Sequence, residues 1–429
     1  MLDRLLAGSL PDPDGADMLS VPVQTVAIAP SLAGREAALI AGLGLGDMPA
    51  IVCDGPTHKA LGLRVHGALG GPGTVGLIML PGVPVPDMET VGMVRAQTKH
   101  ATGLIAVGSG TINDLCKYAT FLDRKPYAVF GTAPSMNGYT SVSAAITEHG
   151  HKKSLPAHAP LGVFLDLEIL AKAPPRMIRS GLGDSACRST AQADWLLAHL
   201  LFAKPYRTVP FKLLEADEAQ LFAKAGALMA GDVGAMEVLA RTLVLSGLGM
   251  TICGGSYPAS QGEHLISHYI DMLGDPSWPA SFHGEHIAVT TLTMARLQEV
   301  MLGGAAPVVA PTPVTEQSVI AHFGPELGAS CWQAFAKKKL DADAARSLSN
   351  RLAKSWADIR SALTKVMRPL REIEAALKAA SAPMSCRDIG VPVDFYRRAV
   401  TQAREIRDRY TFLDLAGDSG RLAGFAAAA

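Results

Sequence analysis

The sequence predicts an α/β half over residues 1–174 followed by an all-α half over residues 175–429. Three observations carry this. Between Gln24 and Asp166, short β-branched runs alternate with stretches of helical period. After the doublet Pro174-Pro175 the alternation stops, and nearly every later segment has helical period. At 429 residues the chain also exceeds the about 250 to 300 at which a single core stops growing.

In order, residues 25–29 read as a strand, 31–43 as a helix and 50–54 as a strand ending in the acid Asp54. A helix near 57–65, a strand at 75–80, a helix at 87–100 and strands at 103–107, around Val129-Phe130 and at 163–166 follow. Strands separated by helices pair in parallel through right-handed crossovers. Open sheets of this kind bind ligands beyond the carboxyl ends of their strands. Past the boundary, helices fit residues 184–201, 214–230, 233–248, 262–272, 285–301, 341–363, 369–379 and 393–410, with a frayed tail at 426–429.

Lys+Arg and Asp+Glu are equal at 39 each, so no global field draws in nucleic acid or an anionic membrane. Hydrophobic content of 48% with 18% charged residues describes a well-buried globular chain. Six cysteines lie scattered with no C-x-x-C pair, which suits buried thiols in a reducing compartment. The N-terminus has an early acid and no signal-like apolar core, and glycine or charge breaks the apolar runs before the about 18 residues of a membrane span. A soluble cytoplasmic protein is the expectation.

Two strand ends carry chemistry. Gly108-Ser109-Gly110-Thr111-Ile112-Asn113-Asp114 puts two glycines where a strand becomes a helix, so that bare N–H groups at a helix N-terminus suit a pyrophosphate. Asn113 occupies the third glycine position of G-x-G-x-x-G, which leaves a phosphate cradle and an ordinary glycine-rich turn both open. The hydroxyl-rich loop Thr132-Ala133-Pro134-Ser135-Met136-Asn137-Gly138-Tyr139-Thr140-Ser141 faces the same crevice. Asp54 suits a ribose hydroxyl or a helix cap, and Lys117 reads as a helix-surface charge rather than a phosphate contact.

Four of the twelve histidines crowd between Ser256 and Val289. His264 and His268 leave one face of a helix about a turn apart, and the break Gly274-Asp275-Pro276-Ser277-Trp278-Pro279 lets the chain reverse and return His283 beside them. Two imidazoles make half of a divalent metal site, which also wants a carboxylate and open positions; surface or capped histidines are the plainer alternative. Asp184, just past Gly181-Leu182-Gly183, supplies a carboxylate, though an acid near a helix start is stabilised by the helix dipole without a metal.

Taken together, the glycine loop, residues 132–141, Gly181-Leu182-Gly183-Asp184, Pro258-Ala259-Ser260 with Glu263-His264 and Ser267-His268, and His283-Gly284-Glu285 resemble the sn-glycerol-1-phosphate dehydrogenase family. That family is a branch of the metal-dependent polyol dehydrogenases with a dehydroquinate synthase-like architecture. The resemblance runs over about residues 25 to 300 in the family's order. It implies a Rossmann-like N-terminal half, a helical C-terminal half, NAD or NADP, one divalent metal (Zn, Ni or Fe), a phosphorylated polyol or ketone as the small-molecule partner, and a homo-oligomer. By position it implies Asp184, His264 and His283 as metal ligands. Asp54, Gly108, Gly110, Thr111, Ile112, Asn113, Asp114, Thr132, Ala133, Pro134, Ser135 and Ser141 are implied cofactor contacts, and Asn137, Asp184 and His268 substrate contacts, with Asp184 and His268 catalytic. Asn137 departs from the family's usual aspartate, and an amide accepts no proton and carries no charge.

The implied reaction is reversible hydride transfer between the nicotinamide and dihydroxyacetone phosphate or sn-glycerol 1-phosphate. His286 reads as supporting or surface, and Lys152, Lys153 and Arg188 are candidates to meet the phosphate. A glycerol or other polyol dehydrogenase, a dehydroquinate-synthase-like lyase and a non-catalytic metal or nucleotide sensor are the competing readings.

Overall fold

The first half forms eight strands, six of them from its apolar runs: β1 (Thr25–Ala29), β2 (Pro49–Asp54), β3 (Gly76–Leu80), β4 (Gly103–Gly108), β5 (Tyr127–Gly131), β6 (Ser143–Glu148), β7 (His151–Pro156) and β8 (Gly162–Asp166). The computed structural model describes residues 1–428. Six strands make one parallel sheet in the order β1-β8-β5-β4-β2-β3. β4, β5 and β8 are buried along their whole length, as expected of parallel strands covered on both faces. Ile51, Ile105, Val107, Ala128, Phe130 and Phe164 form the core on one side with Leu32, Leu43, Leu61 and Val65.

Strand order reverses between β2 and β4, since β3 lies outward of β2 on one side while β5 and β8 follow β4 on the other. Crevices at such reversals receive ligands. The segments leaving β2 at Asp54, β4 at Gly108 and β5 at Gly131 open side by side there, with Gly108 in register with Gly131.

β6 and β7 form a separate antiparallel hairpin that the sequence period does not reveal. The helix read over 31–43 is shorter, Glu36–Ala41, and that read near 57–65 runs through a π-turn, His58–Gly62, into Leu63–Ala68.

Two compact units divide the chain. Met1–Ser185 goes with Thr208–Ser256, and Ala186–Arg207 goes with Tyr257–Ala429. Residue 174, the boundary read from the sequence, marks the end of strand and helix alternation, whereas the sheet unit also takes in the helices Pro175–Ala186, Val209–Ala223 and Val233–Ile252. The last of these is 20 residues long and apolar enough to cross a membrane by length and composition, its glycines and charges notwithstanding. Helices that are apolar all round are core helices, and 72% of its apolar window is buried, against Val209–Ala223 among others.

The helix expected over 184–201 is two helices, Pro175–Ala186 and Arg188–Phe202. Pro175 takes the first helical position, where its missing N–H costs nothing. Asp184 therefore sits in the last turn of a helix instead of near its start.

In the second unit, the helices Gly262–Leu273, His283–Gly303, Ala342–Val366 and Leu370–Ala379 match the predicted segments to within a few residues, whereas the helix expected over 393–410 ends at Gln402 and gives way to a 3₁₀ turn, Ala403–Ile406, and an extended Arg407. Glu316–Phe323, Pro325–Phe335, Phe412–Asp418 and Leu422–Ala428 were not predicted, and the expected frayed tail is corrected by the last of them, where Ala426 is buried. One core joins Leu265, Ile266, Tyr269, Leu297, Met301, Leu348, Leu352, Leu363, Phe412 and Leu413.

Loop 132–141 of the first unit is clamped between helices through glycine contacts. A Cβ on Gly181 would stand 1.7 Å from the Pro134 carbonyl oxygen, and one on Gly247 would stand 2.6 Å from that of Asn137. Gly181→Ala should therefore cost about 3 kcal/mol or more in chemical denaturation. The control Gly92→Ala, where a Cβ meets nothing within 4 Å inside Met88–Gln97, should raise stability by up to about 1 kcal/mol.

Candidate active site

The helix Gly110–Asp123 starts directly after β4, with Ser109 extended as its N-cap. The Asn113 N–H donates to the Ser109 carbonyl at 2.9 Å, so the N–H groups of Gly110, Thr111 and Ile112 precede the first intrahelical bond and are directed out of the helix end. Gly108 is required there: a Cβ would lie 2.5 Å from the Cβ of Ile112. The side chains of Ile112 and Asn113 are buried, which leaves the backbone to meet a ligand.

Several candidate side chains are committed to the fold. Asp54 Oδ1 accepts the N–H and the hydroxyl of Thr57, both at 2.8 Å, as a helix cap. Asp114 Oδ2 accepts the Ala145 N–H at 3.0 Å and anchors the β6-β7 hairpin; burial raises its carboxyl above the usual range. Lys117, read as a surface charge, is fully buried. Its ammonium donates to the Gly138 carbonyl at 2.6 Å, Ser141 Oγ at 3.0 Å and the Ser143 carbonyl at 3.1 Å, and burial pushes it down to about 8. The period of a helix does not say which face another loop covers, and here loop 138–143 covers it.

Loop 132–141 is bonded along its length. The Tyr139 hydroxyl donates to the Ala133 carbonyl at 2.7 Å, Ser180 Oγ to the Ser135 carbonyl at 2.9 Å, and Thr140 Oγ1 to the Val244 carbonyl at 2.7 Å. Thr132, Ala133, Ser135 and Asn137 are buried. The Asn137 N–H donates to Asp184 Oδ2 at 2.8 Å. Since Asp184 lies where the helix dipole is negative, the dipole does not account for this buried carboxylate, and the capping alternative falls.

In the second unit, Gly262–Leu273 presents His264 and His268, and His283 opens His283–Gly303. The ring of His264 lies 5.1 Å from that of His283 and 6.0 Å from that of His268. Their second nitrogens are set in opposite senses. His264 Nδ1 donates to Glu263 Oε1 at 3.0 Å, and the same fully buried carboxylate accepts the Gln261 N–H at 2.7 Å and the Thr190 hydroxyl at 3.3 Å. This leaves Nε2 of His264 with its lone pair, the form a metal takes. Arg407 Nη2 donates to His268 Nδ1 at 2.9 Å. Arginine has no acceptor, so a neutral His268 carries its proton on Nε2 and presents a donor.

His286 lies away from this pair of roles, with Nδ1 3.3 Å from Asp271 Oδ1 and Nε2 2.5 Å from Ser281 Oγ. Cys187, Glu263 and His264 also bring potential ligand atoms within 4.8 Å of one another, but Glu263 and His264 are bonded to each other and the Cys187 thiol faces the Ala259 carbonyl at 3.7 Å.

The start of Gly262–Leu273 is held by a residue that period and motif do not single out. Asp194, fully buried, accepts the Gly262 N–H at 3.0 Å and the Phe412 N–H at 2.9 Å. One carboxylate thus serves two helix N-termini. Burial and the neighbouring Glu263 push Asp194 well above the usual carboxylate range. Arg409 caps the same region, its guanidinium 4.7 Å above the Tyr257 ring and bonded to the Ser260 carbonyl.

Residues 27–174 match the family described as iron-containing alcohol dehydrogenase. The chain is 33% identical over 251 residues to glycerol-1-phosphate dehydrogenase (NAD(P)+) of Bacillus subtilis, covering 57% of this chain and 64% of that protein, a little under two thirds of its length. With the protein of the same name from Pyrococcus furiosus it is 33% identical over 251 residues, covering 58% of this chain and 71% of the relative. The chain belongs to the glycerol-1-phosphate dehydrogenase family. A probable glycerol dehydrogenase from Sinorhizobium meliloti shares the fold, with a TM-score of 0.61 at 17% identity over 95% of this chain and 98% of that one.

As a member of the glycerol-1-phosphate dehydrogenase family the chain is an NAD(P)-linked oxidoreductase that uses a divalent metal. The donor set fits a metal on the structure's own terms, because Glu263 holds His264 in the ligating tautomer beside His283. The conservative change Glu263→Gln removes that orienting carboxylate. It should lower metal affinity by about 10–100-fold in chelator competition, whereas His286→Asn should leave the metal stoichiometry unchanged.

Proposed function

We propose that the chain interconverts dihydroxyacetone phosphate and sn-glycerol 1-phosphate with NADH or NADPH, using a divalent ion held by Asp184, His264 and His283. The observation that carries the reading is the Glu263–His264 hydrogen bond, which gives His264 Nε2 to a ligand with His283 at its side. The relatives' name favours a phosphorylated triol over a free polyol.

Each residue then has a task. The N–H groups of Gly110, Thr111 and Ile112 receive the cofactor's pyrophosphate, with Gly108 permitting close approach and loop 132–135 alongside. Asp54 stands at the end of β2, next to β4 in the sheet, as the ribose contact, its cap on Thr57 fixing the carboxylate plane. Asp184 serves as a one-oxygen ligand, since its Oδ2 is occupied by the Asn137 N–H.

When bound, the nicotinamide supplies the hydride and the metal supplies positive charge for the substrate oxygen that becomes negative. His268 Nε2–H donates a hydrogen bond to that oxygen or to a neighbouring hydroxyl and orients it, its other nitrogen being already engaged by Arg407. Asn137 orients a hydroxyl without accepting its proton. One carboxylate and two imidazoles suit Zn²⁺, Ni²⁺ or Fe²⁺.

The test is NADH and NADPH oxidation with dihydroxyacetone phosphate and with free dihydroxyacetone, before and after chelation and with each metal restored. Turnover should prefer the phosphate, vanish on chelation and return with at least one metal. Asp184→Ala should lose the metal and more than about 100-fold in kcat while staying folded. Full activity of that variant without metal sinks the reading.

A further inference from the structure

Several buried or half-buried arginines of this fold meet a carboxylate. Arg64 binds Glu36 and Asp166 at 2.6 Å, Arg241 binds Asp217 at 2.6 Å and Arg404 binds Asp418 at 2.8 Å. Arg407 differs. It is half-buried, and among the described residues its guanidinium pairs with no carboxylate; its polar contact is the Nδ1 of His268. One of five N–H donors is thereby used.

The backbone holds Arg407 in place. It ends the short 3₁₀ turn Ala403–Ile406 in extended geometry (φ −147°, ψ 165°), and Arg409 follows two residues on. The stretch is tied to the histidine helix at Ser260 by Arg409 and shares Asp194 with it through the Phe412 N–H. Burial, and then the like charge of Arg409, push Arg407 down to about 9, so the guanidinium still carries its charge near neutral pH. Two cations held close, their shared neighbouring counter-charge being the exposed Asp408, form a place that gains free energy when an anion arrives.

We infer that Arg407 receives the phosphate of the substrate, gripping two of its oxygens while its remaining N–H keeps His268 in the donor tautomer. This rests on the reading of the site as acting on a phosphorylated triol. In that substrate one carbon and one oxygen separate the reacting carbon from phosphorus, so a phosphate receptor must stand next to the group that bonds the reacting oxygen or its neighbour. Arg407 touches His268, whereas two of the three sequence candidates are engaged elsewhere: Lys153 binds Glu148 at 2.7 Å and Arg188 binds Gln192 at 2.5 Å.

The experiment compares wild type, Arg407→Gln and Arg407→Lys in the metal-loaded enzyme. In Arg407→Gln both substrates should lose rate through the loosened His268, but the ratio of kcat/KM for dihydroxyacetone phosphate to that for free dihydroxyacetone should fall about 10–100-fold. Competitive inhibition by inorganic phosphate should be lost, and Arg407→Lys should recover part of it. Metal content and melting temperature should match wild type in the lysine variant. Equal losses on both substrates, or phosphate inhibition unchanged in Arg407→Gln, overturn the inference while leaving the proposed reaction standing. A wild type inactive on dihydroxyacetone phosphate but inhibited by inorganic phosphate through Arg407 would instead overturn the proposed reaction alone.

Discussion

The hydrogen bond from His264 Nδ1 to Glu263 is the contact on which the proposed chemistry depends. An imidazole binds a metal through only one nitrogen at a time, and which one is offered is decided by the partner of the other. Glu263 is adjacent in sequence, fully buried and itself fixed by Gln261 and Thr190, so the choice is made before any ligand arrives. One turn along the same helix the opposite choice is made at His268, where the partner is an arginine that can only donate. Two identical side chains on one helix face thus acquire different chemistry from their second neighbours.

Rigidity in the sheet unit has a different source. Loop 132–141 touches the helices Pro175–Ala186 and Val233–Ile252 through positions where even a methyl group does not fit, and buried hydroxyls and the Lys117 ammonium satisfy its carbonyls. A buried ammonium is costly unless its donors are all used, and Lys117 uses three on one loop. Asp184 inherits that order through the Asn137 amide, which positions a carboxylate at the helix end least favourable to it.

The parallel strands were legible because continuous apolar runs bounded by glycine and proline have few alternatives, and the glycine loop and the histidines because their chemistry depends on residue type at fixed spacing. The β6-β7 hairpin was not legible: Ser143 to Pro156 mixes polar and apolar residues without a tight turn signature such as Asn-Gly. Asp194, Lys117 and Arg407 were missed for a shared reason. Each acts through partners far away in sequence, Phe412 for Asp194 and His268 for Arg407, and a single sequence does not report such pairings. The motif blocks end near residue 300, and the helical period over 393–410 does not reveal that Arg407 leaves the helix in extended geometry.

The opposite tautomers of His264 and His268 are tested most directly by ¹⁵N NMR of histidine-labelled protein, with and without ¹¹³Cd²⁺ as the metal. The account predicts a proton on Nδ1 and cadmium coupling at Nε2 for His264, and a proton on Nε2 with no cadmium coupling for His268. Cadmium coupling at His268, or a proton on Nε2 of His264 in the metal-loaded protein, would contradict it.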